Sequence, residues 1–287
     1  MIAISQKHWK DDVGEILRVR EGFVLEDVDQ GSTPGYKRNK SYAADDLASG
    51  AAQLDEYQER LFAQSRVDAT RASVLLVLQA MDSAGKGGIL RHVVGSVDPQ
   101  GVQITAFKKP TEEELRHDFL WRVKQRVPEP GMIGVFDRSH YEDVLIGRVR
   151  ELAEPDELER RYGAINRFEK KLTDGGTRVV KVMLHISRDE QKKRLMRRLE
   201  RPDKHWKYNP NDVAERQFWP KYMEAYQTVF ERTSTHHAPW FVVPADHKWY
   251  ARIAVQHLLL EALEDINPRW PAAPYMIDVE KARLAAT

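Results

Sequence analysis

At 287 residues, 41% hydrophobic and 31% charged, the chain has enough apolar content to bury a sizeable core as one large domain or two small ones. The 45 Lys and Arg nearly cancel the 44 Asp and Glu, so the average charge suggests no polyanionic partner, nucleic acid included, and any electropositive site must come from local clustering. The absence of cysteine excludes disulfides and thiolate metal sites and suits a reducing compartment. No apolar run approaches the roughly 18 residues of a membrane span, so no membrane partner is expected. Residues 1–10 carry no leader pattern, because Asp11 and Asp12 follow at once. A cytoplasmic location is the expectation.

Residues 1–70 read as an N-terminal extension of the domain that follows. Gly31, Ser32, Thr33, Pro34 and Gly35 form a turn cluster, and a short basic stretch covers 37–40. After Asp45 and Asp46, the spacing of Leu47, Ala51, Leu54 and Leu61 predicts an amphipathic helix to about residue 64, packing on the main domain. From Ser73 onward, short apolar runs at 74–78, 102–107, 132–136, 179–186 and 240–243 read as strands, three of them nearly continuous in apolar residues. Between them lie helical segments with recognisable starts. Thr111 and Glu114 form a capping box ahead of Leu115, Phe119 and Val123, and Ser187 with Glu190 forms another. Five strands alternating with helices predict an α/β fold in three layers, a parallel sheet covered on both faces, over about 71–266. The last helix of that domain is expected near 249–263. A Pro-rich tail at 267–287 says little about function.

The segment 78–90 reads as a buried strand, a glycine-bearing turn and a helix start, the context in which a phosphate-binding loop has meaning. Backbone N–H groups of Ala84, Gly85, Lys86, Gly87 and Gly88 would cradle a phosphate chain, with Lys86 reaching its terminal groups. The strict pattern G-x-x-x-x-G-K-[ST] is not met. Gln79 or Ala80 occupies the first-glycine region, and Gly87 stands where a hydroxyl residue would help hold Mg²⁺. Asp82 is placed to substitute as ligand, since an acid inside a phosphate cradle repels the ligand unless a metal or proton lies between them.

A second acid, Asp137, ends the apolar run 132–136 and is followed by Arg138, Ser139, His140 and Tyr141. A strand-end Asp taken alone is often a helix cap; paired with the loop, it reads as a metal ligand. The third feature is basic. Between 191 and 208 stand eight Lys and Arg against Glu200 and Asp203, a local excess of six. Arg194, Arg197, Arg198 and Arg201 fall on one helical face by spacing. A solvated face is the common reading of such a run; a cationic flap closing over phosphates is the functional one.

Taken in order, the stretches LQAMDSAGKGG (78–88), FKKPTEEELRHDFLWR (107–122), VFDRSHYE (135–142), HISRDEQKKRLMRRLERPDKHWK (185–207) and APWFVVPADHKW (238–249) resemble the second family of polyphosphate kinases, the polyphosphate:nucleotide phosphotransferases. The similarity runs from about 35 to 264. It implies a P-loop kinase fold like that of thymidylate kinases, with a five-stranded parallel sheet and a helical lid at about 188–220. It further implies phosphoryl transfer between inorganic polyphosphate and a nucleoside mono- or diphosphate: AMP to ADP, ADP to ATP, or both. Whether GMP, GDP and GTP also serve stays open. Carried onto this sequence, Asp82 and Asp137 would bind Mg²⁺, or Mn²⁺ in its place, and position the attacking phosphate. Lys86 would bind the donor phosphates and Arg138 would steady charge on the transferring group. Arg194 and Arg198 match the family's lid arginines, Lys204 and Lys207 would line the polyphosphate path, and Asp118 and Arg122 are candidates on the nucleotide side. A homodimer or homotetramer is implied. The sequence departs from the pattern at Ala80, where the family has glycine, and at Arg201, where an acid is expected before the lid proline. The alternatives are an ATP-dependent kinase of a nucleotide or small metabolite, and a non-enzymatic polyanion binder using 191–207.

Overall fold

The structure, a computed structural model, describes residues 8–287. Residues 1–7, which belong to the expected extension and to the stretch read for a leader, lie outside the described residues. Five strands form one parallel sheet: β1 (Ser73–Ala80), β2 (Val102–Ala106), β3 (Ile133–Asp137), β4 (Thr177–His185) and β5 (Trp240–Pro244), in the order β2-β3-β1-β4-β5. Each run expected to be a strand is one. The central position of β1 explains its composition, because Val74 to Leu78 are all fully buried, with helices over both faces. At the β2 edge Ile104 is half exposed.

Right-handed crossovers put the helices after leftward and rightward steps on opposite faces. The α/β reading therefore holds in detail. One face carries α3 (Lys86–His92) and α11 (Lys248–Ile266), and the other carries α6 (Glu142–Val149), α7 (Pro155–Asp174) and α10 (Trp219–Thr233). Helix α11 is apolar on nearly all sides because it lies between the sheet and α2 (Ala43–Ser65), which is packed along it. The chain reverses direction about β1, so a crevice opens at the carboxyl ends of β1, β3 and β4, where ligands bind in open α/β sheets.

One local expectation changes. Residues 111–123 do not form one helix but two short turns, α4 (Glu112–Leu115) and α5 (Trp121–Lys124). The Thr111–Glu114 capping box is present. Asp118 then starts a new turn, its carboxylate accepting the Leu120 N–H at 3.1 Å and its carbonyl the Trp121 N–H at 2.7 Å. The tail, of which no structure was expected either way, carries a helix at Ile277–Ala285 with no buried residue.

The segment before α2 is tied into the sheet. Trp9, Val13, Leu17 and Tyr36 belong to the same buried core as the strands. The Val19 N–H donates to the Trp240 carbonyl at 2.8 Å, and Arg18 forms an antiparallel bridge to Phe241. This strap covers the β5 edge, which would otherwise be open to pairing.

Beneath the turn that follows β3 lies a fully buried ion pair. Lys181 of β4 meets Glu169 of α7 at 2.6 Å and also donates to the Tyr141 hydroxyl (2.9 Å) and the Thr233 carbonyl (2.8 Å). The Tyr141 hydroxyl donates in turn to Glu169 at 2.7 Å. All three ammonium protons are thus used. Lys181→Met would strand a buried carboxylate and should cost about 3–5 kcal/mol in urea unfolding, while the double variant Lys181→Met/Glu169→Leu should recover much of that loss.

At the end of β4, burial pushes His185 down from its ordinary 6.5 to about 4. The neutral ring accepts from the Gln30 amide at 2.9 Å. Since the folded state resists the proton, this stabilisation is present above pH 6.5 and is lost as pH falls toward 4. It should amount to about 3 kcal/mol. Urea titrations at several pH values should show this slope, and His185→Gln should flatten it.

Candidate active site

The loop between β1 and α3 has the backbone of an anion cradle. Ser83 (φ 65°) and Gly85 (φ 134°) both adopt positive φ, a strained choice for the serine. The Ala84 N–H closes on the Met81 carbonyl (3.2 Å) and the Gly88 N–H on that of Gly85 (2.7 Å). The N–H groups of Ser83, Gly85, Lys86 and Gly87 have no acceptor among the described residues. A run of unpaired donors at a turn is what a phosphate oxygen requires. Gly87 is not enforced by crowding, because a Cβ there would meet nothing within 4 Å. The missing hydroxyl has a neighbour instead: Ser83 Oγ is buried and has no partner among the described residues.

The ladder register delivers the second acid. Asp137 stands opposite Leu78 of β1 and Ala106 of β2, level with the loop. Lys86 reaches back across the cradle, its Nζ 3.4 Å from the Ala80 carbonyl and 4.0 Å from Asp137 Oδ1. Arg138, held at φ 64° by its N–H bond to the Leu78 carbonyl (3.1 Å), places its guanidinium 3.3 Å from Asp82 Oδ1. Burial works against that guanidinium, but Glu142, Asp82 and Asp137 together hold its pKa above the ordinary value.

Glu142, at the start of α6, was not singled out from sequence. Burial raises its carboxyl above the usual range, with Arg138 and Lys86 offsetting only part of the effect. With the Gln79 amide oriented to satisfy both neighbours, its nitrogen donates to Glu142 at 2.8 Å and its oxygen accepts from Ser139. An acid in the first turn of a helix looks like routine dipole compensation, which is why the sequence did not mark it.

Asp82 and Asp137 are hard oxygen donors facing one cavity. Among the described residues no third Asp, Glu or His completes a metal cluster. Two carboxylates suffice for a small divalent cation that keeps several waters and takes further oxygens from substrate phosphates. The donor set fits such an ion.

The cavity in front of the loop measures about 530 Å³. The basic segment of α8 (Arg188–Glu200) and the two-turn 3₁₀ stretch Pro202–Lys207 contribute Arg198, Lys204 and Lys207 to it. Arg198 is braced by the Lys207 carbonyl (2.9 Å) and by Asp212 (3.3 Å). Arg194 does not join them. It is 4% exposed, and its guanidinium is spent on Glu190 and on the carbonyls of Ser83, Ala84, Ala245 and Asp246. Nor do the four arginines act as one face, because Arg197 is exposed and Arg201 turns outward onto Asp203 at 2.9 Å. Spacing gave the angles around α8; it did not say which angle meets the loop.

Asp118 and Arg122 lie outside the cavity lining. Arg122 is 9% exposed, donates to the Lys108 carbonyl at 2.8 Å and sits 3.8 Å from Asp143, next to Glu142. Asp118 is half exposed and faces Arg160 at 3.5 Å. Three cations not foreseen complete the far wall: Arg91 of α3, and Lys248 and Arg252 one turn apart on α11. Among the described residues none of the three is in an ion pair. Burial and then the arginines 194, 197 and 252 push the Lys248 ammonium down, a cost that a bound anion would relieve. The i, i+4 pair was visible in sequence but lay at the start of an apolar helix.

Comparison with known proteins agrees with this geometry. A model of the family described as polyphosphate kinase 2 (PPK2) matches residues 44–271. An AMP/ADP-polyphosphate phosphotransferase of Meiothermus ruber is 43% identical over 249 residues, covering 87% of this chain and 91% of that protein. An ADP-polyphosphate phosphotransferase of Rhodopseudomonas palustris is 40% identical over 275 residues, covering 89% and 91%. The crystal structure of polyphosphate kinase 2 from Arthrobacter aurescens TC1 superposes with a TM-score of 0.95 at 57% identity, covering 97% of this chain and 98% of that one. By motif order, by fold and by similarity over most of its length, the chain belongs to the polyphosphate kinase 2 family.

Proposed function

We propose that this protein transfers a phosphoryl group between inorganic polyphosphate and AMP or ADP, at the cavity bounded by the 82–88 loop, Asp137 and the basic segment 188–220, which serves as its lid. The observation that carries the reading is the combination of unpaired loop amides with six cations, Arg91, Arg198, Lys204, Lys207, Lys248 and Arg252, around one cavity. Polyphosphate has no base or sugar to recognise, so a row of cations is a sufficient reader. An ATP-dependent kinase of a small metabolite has no comparable need for one.

The chemistry asks for placement more than for proton transfer. The acceptor is a phosphate oxygen already ionised at neutral pH, and it attacks the terminal phosphorus of the donor chain as the bridging P–O bond breaks. The shortened chain leaves with that bond's electrons. Bringing two polyanions within reach is the obstacle, and fixed charges and dipoles that need no reorganisation lower it. Lys86 and the amides of Ser83, Gly85 and Gly87 hold the donor end, with Gly88 and Ala84 shaping the turn. Arg138, between Asp82 and Glu142, faces the transferring group. A divalent ion, Mg²⁺ or Mn²⁺, held by Asp82 and Asp137 would neutralise phosphate charge there. Arg198, Lys204 and Lys207 close from the lid, while Lys248, Arg252 and Arg91 carry the outgoing polyphosphate. The nucleotide lies on the Glu142 side, where Arg122 is fixed against Asp143 and Asp118 borders the approach. Guanine nucleotides as further acceptors, a cytoplasmic setting and a homodimer or homotetramer complete this reading.

Incubation with ADP and polyphosphate, without ATP, should yield ATP in a divalent-ion-dependent manner. Asp137→Asn should lower turnover by at least about 100-fold with the thermal midpoint unchanged; normal turnover in that variant would sink the assignment. Lys248→Ala/Arg252→Ala should raise KM for polyphosphate several-fold while KM for ADP stays near wild type. The gap should narrow as salt rises, because the lost attraction is screened.

A further inference from the structure

A guanidinium has five N–H groups, and those of Arg194 meet five acceptors. Its Nε donates to Glu190 (2.9 Å), Nη1 to the carbonyls of Ser83 (3.1 Å) and Ala84 (2.5 Å), and Nη2 to those of Ala245 (2.7 Å) and Asp246 (2.9 Å). No donor is left for a substrate. Three residues earlier on α8, Gln191 donates to the Asp82 carbonyl at 2.9 Å, and its own oxygen is held by Arg216 at 2.6 Å. Three successive loop carbonyls, those of 82, 83 and 84, are therefore fixed by two side chains of one helix.

The orientation of the amides follows from peptide geometry. In a trans peptide the C=O and the next N–H point in opposite directions. Drawing the Asp82 and Ala84 carbonyls toward α8 turns the Ser83 and Gly85 N–H groups the other way. These are two of the amides that lack an acceptor. The positive φ of Ser83 has the same need, because a non-glycine residue stays in that region only when its surroundings hold it there.

We infer that Arg194 and Gln191 are positioning residues that set the phosphate cradle before any ligand arrives and bind the root of α8 to the loop, so that lid motion begins beyond Arg194. The inference rests on the phosphate-binding reading of the loop. It separates two arginines that sequence spacing had paired: Arg198 faces the substrate, and Arg194 faces the backbone that receives it. A lysine cannot replace it, because one ammonium cannot span carbonyls on the loop and on the β5–α11 turn together.

Hydrogen exchange on the ligand-free protein tests this without reference to catalysis. In Arg194→Met the loop amides that are hydrogen-bonded in wild type, those of Ala84, Gly88 and Ile89, should exchange on the order of 10- to 100-fold faster. Arg194→Lys should resemble Arg194→Met in both exchange and kcat, with KM for polyphosphate raised more than KM for ADP. Wild-type exchange in ligand-free Arg194→Met, or an Arg194→Lys enzyme far more active than Arg194→Met, would mean that Arg194 touches the reacting phosphates and would overturn the proposal. If Arg194→Met fails to fold, Gln191→Leu carries the test: the Ala84 amide, bonded to the Met81 carbonyl across the turn that Gln191 holds, should exchange several-fold faster at an unchanged thermal midpoint, and unchanged exchange overturns the proposal. Failure of wild-type protein to make ATP from ADP and polyphosphate would count against the proposed activity and leave the exchange result standing.

Discussion

Leu78 and Asp137 lie side by side in a parallel ladder, and the Arg138 N–H closes that ladder on the Leu78 carbonyl at 3.1 Å. The mouth of the protein depends on this pairing. It brings the acid of β3 level with the loop after β1, so that Lys86 spans the gap and Arg138 turns back toward Asp82. A register shift of one residue would send Asp137 to the other face of the sheet, and the loop would lose its partner. The buried Lys181–Glu169 pair underlies the same turn through Tyr141. Sheet register, a buried ion pair and a positive-φ arginine thus act on one few-residue stretch.

Charge in this protein is organised by location rather than by total. The chain is close to neutral, and many surface cations are neutralised by acids one helical turn away, as in Arg160 with Glu157 and Lys170 with Asp174. Around the cavity the pattern reverses. Among the described residues Lys248, Arg252 and Arg91 form no ion pair, and Asp82, Asp137 and Glu142 cluster around Arg138 and Lys86. Like charges held close in a partly buried space raise the free energy of the empty site. An incoming polyanion removes that repulsion as it binds, which puts strain relief on the side of association.

What the sequence disclosed and what it withheld follow from the range of each signal. The five strands are short apolar runs bounded by turns, three of them nearly continuous, and the loop, Asp137 and the Thr111 capping box are contiguous patterns, so all were legible. The break at Asp118 was not, because a side-chain cap inside a helical pattern differs from an exposed aspartate only in its conformation. Arg194 and Arg198 look alike one turn apart; only the packed loop shows that one reaches carbonyls and the other the cavity. Glu142, Lys248 and Arg252 join the site through contacts between segments far apart in the chain. Each has a bland local reading as a helix-terminal charge.

The strap that covers the β5 edge bears on how the chain is made. It is synthesised ahead of the sheet, yet its partners come late: the Leu25 N–H pairs with Gln227, 202 positions downstream, and Trp9 packs its ring against Tyr250. On the ribosome this apolar segment must wait, unpaired, while four strands emerge, and it can dock only when β5 and α11 are complete. Closing so long a loop is slow, and the waiting surface is open to misassociation. Docking of the strap is therefore a late event in folding, although the strap leaves the ribosome ahead of every strand it joins.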